Sequence, residues 1–138
     1  MAATPEAQVK KRIKELLEAC GCVYSTPIGS SFGKSDMCDF IACVPRENGA
    51  LYLEIEAKAT PKDKPTARQE DKLNRVRKAG GIAWVINGEN YDYYEEELSK
   101  IVGQDIETTR SNIHNARRIR RETKRRKAGL IRRRTSGD

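Results

Sequence analysis

Residues 39–58 read DFIACVPRENGALYLEIEAK, and this stretch decides the fold. The apolar run at 40–44 is typical of a buried strand, and the turn at 45–49 contains an Asn-Gly pair that favours a hairpin. Residues 51–58 alternate, so successive side chains point to opposite faces of a strand. The pattern predicts a β-hairpin whose second strand has an apolar face (Leu51, Leu53, Ile55, Ala57) and a polar face (Tyr52, Glu54, Glu56, Lys58).

The segment before the hairpin predicts a helix, a strand and a loop. Thr4 is a suitable helix N-cap, Pro5 suits the first helical position, and Gly21 is typical of a helix end. Apolar residues recur at helical spacing between them. The β-branched and aromatic run at 22–26 predicts a first strand, and GSSFGKS at 29–35 has the composition of a loop.

The segment after the hairpin predicts three helices and one strand. A helix over 66–79 follows a lysine-rich loop, and the apolar run at 82–86 predicts another buried strand. An acidic helix is predicted over 90–102, then a long helix from about Ile106 that frays before Gly129. The order is helix, three strands, helix, strand and a helical C-terminal extension, which is an α/β arrangement.

Length and composition indicate a single charged domain. The chain has 138 residues, enough for one core, with 37% hydrophobic and 34% charged residues. No apolar run approaches the ~20 residues that a membrane helix needs. The first residues, MAATPEAQVKK, lack the order of a signal peptide. We therefore expect no membrane partner and an intracellular protein.

Four cysteines are present, at positions 20, 22, 38 and 43. The Cys20-x-Cys22 spacing is unusual for zinc, and the one histidine, His114, lies far along the chain. Since most of these cysteines lie in or beside apolar runs, the sequence favours small buried thiols in a reducing compartment over a structural zinc site.

The charge is concentrated at the C-terminal end. Residues 117–138 contain eleven arginines and lysines against two acids, a net charge of +9, whereas the whole chain carries +7. The rest of the chain is therefore mildly acidic, at −2. This asymmetry indicates a polyanionic partner for the tail, although a solvated tail that binds nothing in particular would have the same composition.

The polar face of the predicted hairpin carries the candidate chemistry. Pairing across the Asn-Gly turn would bring Asp39 near Glu56, and two close carboxylates repel each other unless a cation lies between them. Oxygen ligands suit Mg²⁺ or Mn²⁺. Lys58 shares the face of Glu56 and could orient a hydrolytic water or neutralise charge on a phosphate. The arrangement is typical of phosphoryl transfer.

These residues resemble a known signature. Asp39, followed after a hairpin by ExK at 56–58, is similar to the D…ExK motif of the PD-(D/E)XK nuclease superfamily. The predicted element order also matches the αβββαβ core of that superfamily, a mixed sheet flanked by helices. Cys38 departs from the pattern, because proline often precedes the aspartate there.

Further motifs resemble the VRR-NUC branch of this superfamily. They are Glu6 on the first helix, GKS at 33–35, IEAK at 55–58 and TARQ with GG-x-AWVI within 66–86. The resemblance covers about residues 5–90 and implies a nuclease domain at 1–104 followed by a basic helical extension at 105–138. The branch includes small standalone viral nucleases, so the resemblance implies the cytoplasm of a bacterial or phage-infected cell. These nucleases resemble Holliday junction resolvases, which work as symmetric dimers.

The resemblance implies roles for five residues. The catalytic set is Glu6, Asp39, Glu56, Lys58 and Gln69, of which Asp39, Glu56 and Glu6 would hold the metal.

Three of these residues, and Glu54 on the same predicted strand as Glu56, also have a purely structural interpretation. Glu6 would favour a helix N-terminus through the helix dipole, and Gln69 would close a capping box with Thr66. Lys58 could be a solvated surface lysine. Glu54 could be a surface carboxylate, although we favour a supporting role.

Basic residues near the site and in the tail are candidates for phosphate contacts. The set comprises Lys34, Lys62, Lys64, Arg68, Arg117, Arg118, Arg120, Arg121, Lys124, Arg125, Arg126 and Lys127.

The sequence therefore predicts an endonuclease that depends on Mg²⁺ (or Mn²⁺) and hydrolyses phosphodiester bonds in DNA. Because no separate sequence-reading module is evident, we expect selectivity for structure, such as a Holliday junction or other branched DNA, and a homodimer. The main alternative is a non-catalytic nucleic-acid-binding protein that acts through its basic tail. An RNA nuclease on the same scaffold is a third possibility.

Overall fold

The computed structural model describes residues 3–27 and 37–135, with side chains to Leu130 and at Arg132. Eight elements follow one another along the chain. They are α1 (Pro5–Ala19), β1 (Val23–Ser25), β2 (Phe40–Val44), β3 (Leu51–Ala57), α2 (Ala67–Lys78), β4 (Ile82–Ile86), α3 (Tyr91–Ile101) and α4 (Ile106–Thr135).

The four strands form one mixed sheet in the order β1-β2-β3-β4. Strands β1 and β2, and β2 and β3, pair antiparallel, whereas β3 and β4 pair in parallel. The hairpin turn contains Gly49 at φ +108°, a conformation that favours glycine. The predicted αβββαβ order and mixed sheet flanked by helices are confirmed.

The main core lies between the sheet and α1 and α3. Ile13 and Leu16 of α1 are fully buried against Phe40, Leu53 and Ile55 of the central strands. Helix α1 starts as predicted, because the Thr4 hydroxyl accepts a hydrogen bond from the backbone N–H of Ala7 at 3.2 Å.

The opposite face of the sheet is covered by α2. Leu73 and Val76 of α2 pack on Ala83 and Val85 of β4 and form a second, smaller core. As a result, β3 is buried on both faces from Leu53 onwards. The polar face of β3 therefore lies beneath a helix at its C-terminal end, and charged side chains there are held in a confined space.

Helix α4 differs from the predicted boundary at one end. It does not fray before Gly129 but continues to Thr135, which makes it about 45 Å long. Its first turns pack against the rest of the protein, with Thr109 and Ile113 buried. A domain division at residue 104 stays a prediction, since this part of α4 is packed on α1 and α3.

An ion pair joins α1 to α4. Glu15 is buried, and both of its oxygens accept hydrogen bonds from Arg117, at 2.5 and 3.0 Å. Arg120 adds a third contact at 3.3 Å. The hydrogen bond from Arg117 is the largest cause of the lowered pKa of Glu15 and outweighs the opposing effect of burial. Two of the predicted phosphate-binding arginines thus also hold α4 in place.

We expect Glu15→Gln to lower the free energy of unfolding by about 1–3 kcal/mol, because the substitution removes a charged acceptor from two arginines. The pKa of Glu15 is lower in the folded protein than its ordinary value of 4.5. Its contribution to the free energy of unfolding is therefore complete above pH about 4.5 and is lost as the pH falls further. Urea unfolding at pH 7 and pH 3.5 checks both points, with the exposed Glu122→Gln as control. Equal stability of wild type and Glu15→Gln at pH 7 would contradict the assignment.

The cysteines behave largely as predicted. Cys20, Cys22 and Cys38 are buried free thiols, whereas Cys43 is exposed. Burial raises the pKa of Cys22 to about 12, which keeps this thiol protonated. Among the helices that the structure describes, none is both long and apolar enough to span a membrane.

Candidate active site

The hairpin brings Asp39 beside the C-terminal end of β3. Asp39 directly precedes β2, and its backbone N–H donates at 3.1 Å to the carbonyl of Ile55, the residue that pairs with Phe40. Its side-chain Oδ2 accepts a hydrogen bond from the backbone N–H of Ala57 at 2.7 Å. These two bonds hold the Asp39 carboxylate at the C-terminal end of β3.

Glu56 is buried beside a second carboxylate, that of Asp39. Glu56 is only 5% exposed, and its carboxyl group lies close enough to Asp39 to interact with its charge. Burial, and then the charge of Asp39, raise the pKa of Glu56 to about 7, although Lys58 partly opposes this. A carboxyl pair of this kind is stabilised by a proton or by a cation.

Gln69 joins the strand to helix α2. Its Oε1 accepts from the backbone N–H of Thr66 at 2.9 Å, and the Thr66 hydroxyl accepts from the N–H of Gln69, so the capping box is complete. The backbone donor fixes the orientation of the amide. The Gln69 Nε2 group therefore faces Glu56 and donates to its Oε1 at 2.9 Å. The capping role and the place in the site are thus compatible.

Lys58 lies within this group and is not a solvated surface lysine. Its side chain is 15% exposed, and its ammonium lies 3.3 Å from Oε1 of Gln69 and 3.6 Å from Oε1 of Glu56. The backbone N–H of Lys58 donates to Ile86 of β4 at 2.9 Å. The parallel pairing with β4 therefore fixes the backbone from which this side chain projects.

Glu6 and Asp39 are bridged by a residue that the sequence interpretation missed. The ammonium of Lys10 lies 3.3 Å from Oδ1 of Asp39 and 3.6 Å from Oε2 of Glu6. The available signal was the i,i+4 spacing of Glu6 and Lys10 on a helix whose first turn was already assigned to the site. Glu6 therefore faces the site across Lys10, and its place as a metal ligand stays a prediction.

Glu54 lies buried beneath α2, and its supporting role stays a prediction. It is 1% exposed, so the interpretation of Glu54 as a surface carboxylate is wrong. The Tyr52 hydroxyl donates to its Oε2 at 2.6 Å, and its Oε1 is buried without a partner among the described residues. The Cys38 thiol lies beside Glu54, and burial together with this carboxylate raises the pKa of Cys38 to about 12.

The donors at the site suit a divalent cation. Asp39 and Glu56 offer carboxylate oxygens, the ligands that Mg²⁺ and Mn²⁺ prefer. The raised pKa of Glu56 indicates that a positive charge beside its carboxylate would stabilise it. No group of three or more His, Cys, Asp or Glu side chains that could hold a metal occurs within 3–27 and 37–135. Water and backbone carbonyls would complete the coordination, as is usual for Mg²⁺.

The affinity for a divalent cation should depend on pH. Since the pKa of Glu56 is raised to about 7, a cation must displace a proton below that pH. We expect Ca²⁺ affinity to rise about tenfold per pH unit between pH 5 and 7 and to level off above pH 7. Calorimetry in buffers of different ionisation enthalpy checks this, with close to one proton released per ion at pH 6. An affinity independent of pH over this range would contradict it.

The remaining predicted basic residues fall into two groups. Lys62, Lys64 and Arg68 are exposed and belong to the loop and first helical turn that connect Lys58 to Gln69. Arg118, Arg121 and the basic run at 124–127 are exposed on α4. Lys34 and the motif at 33–35 lie outside the described residues.

A comparison with solved structures agrees with this geometry, whereas comparisons with sequences found no match. No family model matches the chain, and no curated protein sequence matches it. A solved structure titled "VRR_NUC domain" is similar, with 27% sequence identity, a TM-score of 0.55 and coverage of 73% of this chain and 97% of that domain. The similarity therefore spans nearly the whole of that domain and leaves about a quarter of this chain outside it. This similarity, together with the D…ExK residues gathered at the end of β3, supports the resemblance of this chain to the VRR-NUC nucleases.

Proposed function

We propose that the protein is an endonuclease that depends on a divalent cation, Mg²⁺ or Mn²⁺, and hydrolyses phosphodiester bonds in DNA. The observation that carries the proposal is the convergence of Asp39, Glu56 and Lys58 at one end of β3, with Gln69 bound to both Glu56 and Lys58. A carboxylate pair beside a fixed ammonium and amide is the set of groups that phosphodiester hydrolysis requires.

Asp39 and Glu56 would hold the cation, with Glu6 or a backbone carbonyl within 55–57 as further donors. When bound, such a cation supplies Lewis acidity towards a phosphate and acidifies water. Asp39 is suited to this role because the N–H of Ala57 fixes Oδ2 and leaves Oδ1 directed towards the side of Glu6. Glu56 is suited because it must lose its proton near neutral pH.

Lys58 and Gln69 would position the attacking water and stabilise the charge that develops on the phosphate. Gln69 restrains both Lys58 and Glu56, because its amide is itself fixed by the capping box of α2. The side chains are therefore held by secondary structure and do not have to be ordered during the reaction, which is what efficient electrostatic stabilisation requires.

Two basic surfaces would bind the DNA backbone. The first consists of Lys62, Lys64 and Arg68, on the loop that starts at Lys58. The second is the exposed face of α4, with Arg118, Arg121 and the residues at 124–127. Arg117 and Arg120 contact Glu15, so they would contribute mainly by holding α4 against the nuclease body.

The preferred substrate is proposed to be branched DNA, such as a Holliday junction, cut by a homodimer. The described elements form one nuclease core and one long helix, with no additional module of the kind that reads a base sequence. Two active sites related by a twofold axis suit the symmetric cutting of two strands. Sedimentation at micromolar concentration tests the dimer, and a monomer alone would contradict this part of the proposal.

Substrate class is tested with labelled four-way junction, flap, linear duplex and single-stranded DNA, each with an RNA counterpart. We expect faster cutting of branched DNA than of duplex, and no cutting of RNA. Preferential cutting of RNA would favour the same chemistry on a different substrate. Binding with a steep salt dependence and no cutting in either Mg²⁺ or Mn²⁺ would favour the tail-mediated binding protein instead.

A further inference from the structure

Lys10 contacts the oxygen of Asp39 that has no backbone hydrogen bond among the described residues. Of the two Asp39 oxygens, Oδ2 is bound to the backbone of Ala57. The other, Oδ1, lies 3.3 Å from the ammonium of Lys10. A divalent cation held by both Asp39 and Glu56 would bind Oδ1 of Asp39, the oxygen to which Ala57 does not donate. It would then lie close to the Lys10 ammonium, and two positive charges repel strongly in a confined site.

Lys10 is also anchored on the other side. Glu6 lies one helical turn before it, and the Lys10 ammonium is 3.6 Å from its Oε2. The side chain therefore has a carboxylate on its own helix to which it can turn when it leaves Asp39. Lys10 stays protonated in this position. Burial lowers its pKa, but the charges of Asp39 and Glu6 together outweigh burial and raise the pKa of Lys10.

We infer that Lys10 is a tethered cation that balances Asp39 in the absence of metal and competes with the divalent cation for Oδ1 of that residue. The inference rests on the proposed function, since it assigns a regulatory role at the same site. Metal binding then requires Lys10 to leave Asp39, and Glu6 remains its partner when a backbone carbonyl within 55–57 supplies the further donor to the metal. Lys10 thereby sets the cation concentration at which the site fills.

The expected size of the effect follows from the exposure of the pair. The side chains of Lys10 and Asp39 are 38% and 22% exposed, so solvent screens their attraction. Partly exposed ion pairs change an equilibrium by a factor of up to about five. Removing the Lys10 ammonium should therefore strengthen cation binding by about fivefold. This effect is expected in protein that is free of DNA.

The test compares Lys10→Met with Lys14→Met, which removes the same charge one turn further along α1 from an exposed position. Methionine keeps most of the side-chain length and suits a helix, so α1 should stay folded. Mn²⁺ is titrated into DNA-free protein at pH 8, and the loss of the free-ion paramagnetic resonance signal reports binding. Thermal unfolding of each variant confirms the fold.

The inference predicts that Lys10→Met binds Mn²⁺ about fivefold more tightly than wild type, whereas Lys14→Met changes by less than about 1.5-fold. Binding by Lys10→Met when wild type shows none would also support it. Two results would overturn the inference and leave the nuclease proposal intact. One is an equal Mn²⁺ affinity of wild type and Lys10→Met, and the other is an equal increase in Mn²⁺ affinity in both variants. Absence of binding in all three proteins would overturn the inference together with the metal assignment.

Discussion

Glu56→Gln should abolish DNA cleavage and, in metal-free protein at pH 8, make the fold more stable. The amide removes an anionic ligand, and the loss of several kcal/mol of transition-state stabilisation corresponds to a factor of about 10³ or more in rate. The gain in stability follows from the raised pKa of Glu56, about 7 against an ordinary 4.5. Above pH 7 the buried carboxylate is charged and destabilises the native state, and glutamine does not carry this charge.

The stability effect has a defined pH dependence. A native pKa above the unfolded value means that stability falls as the pH rises from about 4.5 to about 7. Glu56→Gln should therefore melt about 4 °C higher than wild type at pH 8 and at nearly the same temperature at pH 4.5. Scanning calorimetry in EDTA measures this. Glu47→Gln, an exposed substitution in the hairpin turn, serves as the control for both assays. A stable variant that still cleaves at the wild-type rate would contradict the role of Glu56.

Lys58→Met should reduce the cleavage rate by about 10²–10³-fold and leave DNA affinity nearly unchanged. Lys58 is 15% exposed and contacts Glu56 and Gln69, so it acts within the site and contributes little to the outer phosphate-binding surface. Because the charge of Lys58 lowers the pKa of Glu56, its removal should also move the midpoint of pH-dependent cation binding above pH 7.

Single-turnover cleavage and DNA binding in Ca²⁺ separate these effects. Lys78→Met is the matched control, because Lys78 is exposed at the opposite end of α2 from Gln69. A parallel loss of binding and cleavage in Lys58→Met would instead assign Lys58 to substrate binding. An unchanged midpoint of cation binding would show that its ammonium does not act on Glu56.

The sequence alone was sufficient for the hairpin and for the pair of carboxylates. Alternation at 51–58 and the Asn-Gly turn leave one register that buries Leu53 and Ile55, and that register brings the start of β2, which Asp39 precedes, to the end of β3. The capping box at Thr66 was equally local, since its residues are three positions apart. These features depend on short-range patterns, which a single sequence contains in full.

The features that could not be predicted depend on packing between distant segments. The alternation at 51–58 does not reveal that α2 covers the polar face, so the burial of Glu54 was not evident. The contact of Lys10 with Asp39 depends on how α1 crosses the sheet, and the contact of Glu15 with Arg117 joins residues about a hundred positions apart. The continuation of α4 past Gly129 was not predicted either, because glycine has a low helix propensity.

The most direct test of the account is whether cleavage and cation binding depend on the same carboxylate pair. Wild type, Asp39→Asn and Glu56→Gln are incubated with labelled four-way junction DNA in Mg²⁺, Mn²⁺ or EDTA. The account predicts metal-dependent cutting by wild type, none in EDTA, and none by either variant while both still bind the junction. Cutting by wild type in EDTA, or by either variant at the wild-type rate in Mg²⁺, would contradict it.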